Sequence, residues 1–87
     1  MIEARQVAHY SMIMEWDVRD NIYVVTVPEL PGCRTHGATR EEAVKQGEEV
    51  IALWLESARE WGDPIPPPRY FDLGEIEAAR PVGASSV

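Results

Sequence analysis

Cysteine is almost missing from these 87 residues, where Cys33 stands alone. A single thiol forms no internal disulfide, which excludes a disulfide-stapled scaffold and suits a reducing compartment. Lysine is equally scarce, with Lys45 only, and the seven arginines are scattered rather than gathered into a stripe. Fifteen acidic side chains against eight basic ones leave a net charge of −7. Phosphate backbones repel such a surface, so direct DNA or RNA binding is disfavoured and a basic protein is the better-matched partner. No apolar run approaches the ~20 residues of a membrane span, and Met1 to Gln6 contains no apolar core of signal-peptide length. A cytoplasmic protein without membrane contact is expected. The length suits one domain, and so short a chain buries only about 60–65 % of its unfolded surface. Its core is thin, so at least a homodimer is expected.

What the chain does have is a rigid interruption, Y-V-V-T-V-P-E-L-P-G-C-R-T-H-G, from Tyr23 to Gly37. Valines and threonines favour the pleated conformation on both sides. Pro28 and Pro31 lack an N–H and fix φ, so no regular strand pairing runs through Glu29 and Leu30. Gly32 and Gly37 offer φ > 0 without steric cost. Pro28, Leu30, Pro31, Gly32, Cys33 and Gly37 therefore form a structural motif: strand, rigid turn, strand, then helix.

Upstream, His9 to Asp17 alternates, with Tyr10, Met12, Met14 and Trp16 on one face, as in a half-buried strand. That face should pack against Val44, Ile51, Trp54 and Leu55. Residues 1–8 read as a weak, extended lead-in. Asp17 to Asn21 reads as a hairpin loop, Ile22 to Val27 as a central strand, and Cys33 to Ala38 as a third strand. Thr39 and Glu42 form a capping box, T-x-x-E, opening a helix from about Arg40 to Trp61. Ala43, Val44, Gly47, Val50, Ile51, Trp54, Leu55, Ala58 and Trp61 share one arc of about 140°. Gly47 in that arc predicts close approach to a strand, and Gly62 supplies the stop. Asp63 to Pro68 is a stiff connector. Arg69 to Leu73 is expected as a short edge strand, Glu75 to Arg80 as a helical turn or two, and the rest as a tail.

Catalytic constellations are weak. Cys33 and His36, three apart on a strand, point to opposite faces and cannot hydrogen-bond. A buried thiol and a surface imidazole is the expectation. His9 and His36 have no ligand spacing with the lone cysteine, so no metal site and no cofactor are expected. Glu15, Asp17 and Glu29 would suggest a degenerate nuclease only if they converged. Gly32 and Gly37 flank a strand instead of opening a helix, so there is no phosphate loop. Trp54 and Trp61 read as core or oligomer contacts. Opposite the apolar arc, Glu42, Glu49, Glu56 and Glu60 surround an apolar Leu53. A solvated face is the ordinary meaning of helical glutamates, but an apolar residue ringed by one charge also suits a basic protein partner.

The order Y-V-V-x-x-P-E-L-P-G-C, x-T-x-G-x-T-x-E-E-A, an amphipathic helix and P-I-P-x-P resembles the HicB family over roughly Tyr10 to Pro68. The resemblance implies an α+β fold, β-β-β-α-β, similar to a truncated ribonuclease H without its catalytic carboxylates. Three antiparallel strands would carry one long helix on a face. It implies a non-enzymatic antitoxin that neutralises a small HicA-type, mRNA-cleaving toxin by covering its active surface. HicB antitoxins often carry a carboxy-terminal DNA-binding domain, for which the 19 residues after Pro68 are too few. Residues 1–68 are therefore expected as the HicB-like domain and 69–87 as edge strand and tail. A solitary HicB-like module, regulatory or binding a small ligand, stays open as an alternative.

Overall fold

A polar hairpin loop and two prolines cut the strand-forming residues into three pieces, and a computed structural model describes them within residues 7–71. Strands β1 (Ile13–Asp17), β2 (Ile22–Thr26) and β3 (Arg34–Gly37) are followed by one helix, Arg40–Trp61. The sheet is antiparallel throughout, in the order β1-β2-β3. This is the expected α+β arrangement. Asn21 takes the left-handed conformation at the β1–β2 loop (φ 54°), and its N–H bonds Asp17 O at 2.8 Å. Asparagine tolerates that conformation better than most residues.

The helix begins and ends as its sequence dictates. Thr39 Oγ1 accepts from Glu42 N–H at 3.1 Å, while Glu42 Oε1 accepts from Ala38 N–H at 3.2 Å. Gly62 adopts φ 72° and caps the last turn through Arg59 O. Ala43, Gly47, Ile51, Leu55 and Ala58 are buried. They pack on β3 and, to a lesser extent, on β2. With Val25, Val27, Leu30, Cys33 and Tyr10 they make the core. Each fully buried aliphatic side chain stabilises the fold by about 1.5–3 kcal/mol.

Two glycines act by lacking a side chain. A Cβ on Gly47 would lie 2.8 Å from Met12 Sδ and 3.4 Å from Val25 Cγ1, the close approach that the sequence suggested. A Cβ on Gly37 would lie 2.4 Å from Ala43 N. Gly37 was expected to supply φ > 0; it instead has ordinary φ and lets the helix backbone sit directly on β3.

Other expectations need correction. β1 starts at Ile13, not His9, because Ser11 N–H is bonded to Glu29 instead of to a strand. Val7 and Ala8 are helical and Tyr10 N–H reaches Val7 O, so the described end of the lead-in is not extended. β3 omits Cys33 and Ala38. The helix leaves the β1 side of the sheet uncovered, so Trp16 is 49 % exposed and Val44 is exposed as well. Trp61, in the last turn, extends past the sheet and is 78 % exposed. Asp63 to Phe71 has no regular structure, and Arg69 to Phe71 pairs with no strand. Asp72, Leu73 and the helical turn expected at Glu75 to Arg80 lie outside the described residues.

Candidate partner-binding surface

Helical period places Glu49, Leu53, Glu56 and Glu60 at steps of four, three and four, on one face. All four are exposed, and Leu53 shows 64 % of its surface to solvent. Glu42 is exposed too, but one of its oxygens is engaged by Ala38 N–H at the cap. Glu56 and Glu60, four apart, repel each other at a cost of about 0.2–0.5 kcal/mol. Lys45, four before Glu49, adds a positive charge beside the patch that the sequence reading had passed over. The arrangement offers an apolar centre with an acidic border and no reactive group.

The P-E-L-P-G-C motif is two successive turns. Leu30 N–H bonds Val27 O at 3.1 Å and Cys33 N–H bonds Leu30 O at 3.0 Å. A proline stands second in each, where its fixed φ fits. Gly32, third in the other turn, has φ 76°, as a type II turn requires. Val27 N–H to Cys33 O, at 3.0 Å, closes the base. Leu30 and Cys33 face inward, and Trp54 Nε1–H donates to Pro31 O at 3.0 Å.

Glu29, one of the three carboxylates a degenerate nuclease would need, is buried and hydrogen-bonded through both oxygens. Its Oε2 accepts from Ser11 N–H (3.0 Å), Ser11 Oγ (2.9 Å) and Arg69 N–H (2.9 Å). Burial pushes its pKa up, but the N–H groups of Arg69, Glu29 itself and Ser11, with the Ser11 hydroxyl, outweigh this and hold it below the usual glutamate value. Glu15 lies opposite Val24 and Asp17 opposite Ile22 at the far end of β1. Asp17 ends β1 six positions after Ser11, the residue that holds Glu29, and the four steps of β1 alone span about 13 Å. The three carboxylates do not converge. Among the described residues no group of three or more His, Cys, Asp or Glu side chains surrounds a point that a metal could occupy. Cys33 is buried, which pushes its thiol pKa up, while His36 is exposed on β3.

The sequence reading missed how much apolar surface this end of the sheet exposes: Trp16 on one face of β1, Ile13 on the other, and Val18 in the loop, which is 74 % exposed. Trp16 packs edge-to-face on Tyr23 with centroids 4.9 Å apart, and Arg40 Cζ lies 5.5 Å from the Tyr23 ring centre. Val18, in an otherwise polar loop, was the available signal. Among the described residues no helix is long and apolar enough to cross a membrane.

Residues 10–79 match the family model described as HicB_like antitoxin of bacterial toxin-antitoxin system. Among similar chains, a UPF0150 protein of Thermoplasma acidophilum is 42 % identical over 57 residues, covering 66 % of this chain and 81 % of its own. A UPF0150 protein of Thermotoga maritima is 37 % identical over 68 residues, covering 78 % and 87 %. One from Synechocystis sp. is 32 % identical over 65 residues, covering 75 % and 81 %. With the double turn, the three-stranded sheet and the single long helix in place, the chain belongs to the HicB-like antitoxin family of bacterial toxin–antitoxin systems.

Proposed function

We propose that this domain acts by binding protein, without chemistry of its own, and neutralises a small basic HicA-type toxin in the cytoplasm by direct contact. The observation that carries the reading is Leu53, 64 % exposed at the centre of Glu49, Glu56 and Glu60 on the helix face opposite the core. The net charge of −7 favours a basic partner and disfavours direct DNA or RNA contact. The exposed Trp16 and Trp61 support association into at least a homodimer, which light scattering at micromolar concentration would test.

Complementary charge speeds encounter, while a desolvated apolar anchor holds the complex. Leu53→Arg places a positive charge where a basic toxin arrives and leaves the core untouched. Titrated against a small basic HicA-type toxin, it should weaken affinity through faster dissociation. Glu49→Lys and Glu56→Lys should act on the association rate and flatten its salt dependence. Unchanged affinity for a folded Leu53→Arg would remove this face from the account.

A further inference from the structure

After Gly62 the chain has no regular structure from Asp63 to Phe71, and its side chains bury little. Pro66 and Pro68 are half-buried, whereas Ile65, Tyr70 and Phe71 are 40 %, 70 % and 75 % exposed. What attaches the segment is polar. Tyr10 OH donates to Pro66 O at 2.5 Å, and Arg69 N–H donates to Glu29 Oε2 at 2.9 Å. Both bonds use backbone groups of the connector, Pro66 O and Arg69 N–H, three residues apart. The His9 and Tyr70 rings meet edge-on with centroids 6.0 Å apart. Pro66, Pro67 and Pro68 stiffen the stretch between the two clasps.

The Glu29 clasp is the stronger because it is charge-assisted. The same oxygen binds Ser11 twice, so one buried carboxylate joins the double turn, the lead-in and the connector. We propose that the connector is a strap that lifts as a unit when the Glu29 carboxylate loses its charge, uncovering Tyr10 and that end of the core while sheet and helix stay folded.

The groups facing Glu29 fit this device. Tyr10 from the lead-in feels the Glu29 charge, Arg69 of the connector reaches Glu29 by its backbone N–H, and Tyr70 lies beside Tyr10 and against His9. Burial, then the Glu29 charge and Tyr70, raise the Tyr10 pKa and keep its phenol protonated as the donor to Pro66. Glu29 is ionised at neutral pH, so the strap is held there, and the lowered pKa keeps it held to lower pH than an ordinary glutamate would. Its closure is lost as pH falls through that depressed value.

Amide NMR on the full chain tests this. From pH 7 towards pH 3 the Arg69 and Ser11 amide signals should shift together, with one midpoint below that of an ordinary glutamate. At pH 7, Glu29→Gln should speed hydrogen exchange at Arg69 by about ten-fold or more while Ile51 and Leu55 amides change little. Exchange rising equally at Arg69 and in the core would mean unfolding, not lifting, and would overturn the proposal. An Arg69 amide indifferent to the titration would overturn it as well. If Glu29→Gln does not fold, the wild-type titration decides. Arg69 shifting at lower acidity than core unfolding supports the strap, and coincident midpoints defeat it.

Discussion

Gly37 and Gly47 both meet a neighbour where a Cβ would stand, but the neighbours differ in stiffness. At Gly37 the obstacle is the helix backbone at Ala43, 2.4 Å from the would-be Cβ. Backbone cannot rotate away, so Gly37→Ala should separate helix and β3 and cost at least about 1–3 kcal/mol. At Gly47 the nearest atom is the thioether of Met12 at 2.8 Å, the end of an adaptable side chain. Alanine there recovers about 1 kcal/mol of helix propensity, so Gly47→Ala should stay within about 1 kcal/mol of the parent. Urea unfolding midpoints measure both. A Gly37→Ala variant as stable as the parent would refute the close packing. Open space surrounds Gly32, so Gly32→Ala pays only left-handed strain, about 1–2 kcal/mol.

The helix was legible in the sequence to its last residue because its signals are local. Thr39, Glu42 and Gly62 act within one turn of themselves. Thr39→Ala should therefore cost about 1 kcal/mol in thermal or urea unfolding, and a neutral result would show that Glu42 holds the cap unaided. β1 was legible in face but not in length. Alternation says which side chains share a face, whereas strand pairing depends on where each N–H finds its acceptor. The Ser11 N–H finds Glu29, eighteen positions away, and nothing near Ser11 announces that. Trp16 was expected against the helix, and Trp61 in the core or an oligomer contact, for a related reason. Period fixes their side of an element but not whether the opposing element extends that far. The glutamates around Leu53 were placed correctly on one face, since that depends on period alone. Trp54, read as core, is half-buried and bonded to Pro31 O. Trp54→Phe should cost about 0.5–1.5 kcal/mol, the value of that bond, against about 2–5 kcal/mol for Leu55→Ala at the buried centre.

Across the whole molecule, two electrostatic effects of opposite sign set the response to acid. At pH 7 the net charge of −7 strains the folded state by self-repulsion. Protonating exposed carboxylates on the way down relieves that strain, which favours folding. Glu29 works the other way. Its pKa is lowered on folding, so its contribution is complete above the ordinary glutamate value of 4.5 and is lost as pH falls through the folded value. Asp17 adds a smaller effect of the same sign, since the Arg19 N–H is the chief group lowering its pKa and the site is exposed. Stability should therefore hold or rise slightly from pH 7 to about 5, then fall steeply below the ordinary glutamate range. Thermal melts across pH 3 to 8, run on the parent and on Glu29→Gln, separate the two effects. The variant should be less stable at pH 7 and its loss below pH 4.5 should be shallower, because the group that titrates between folded and unfolded states is gone. Parallel curves would assign the acid response to the surface carboxylates and leave Glu29 without thermodynamic weight.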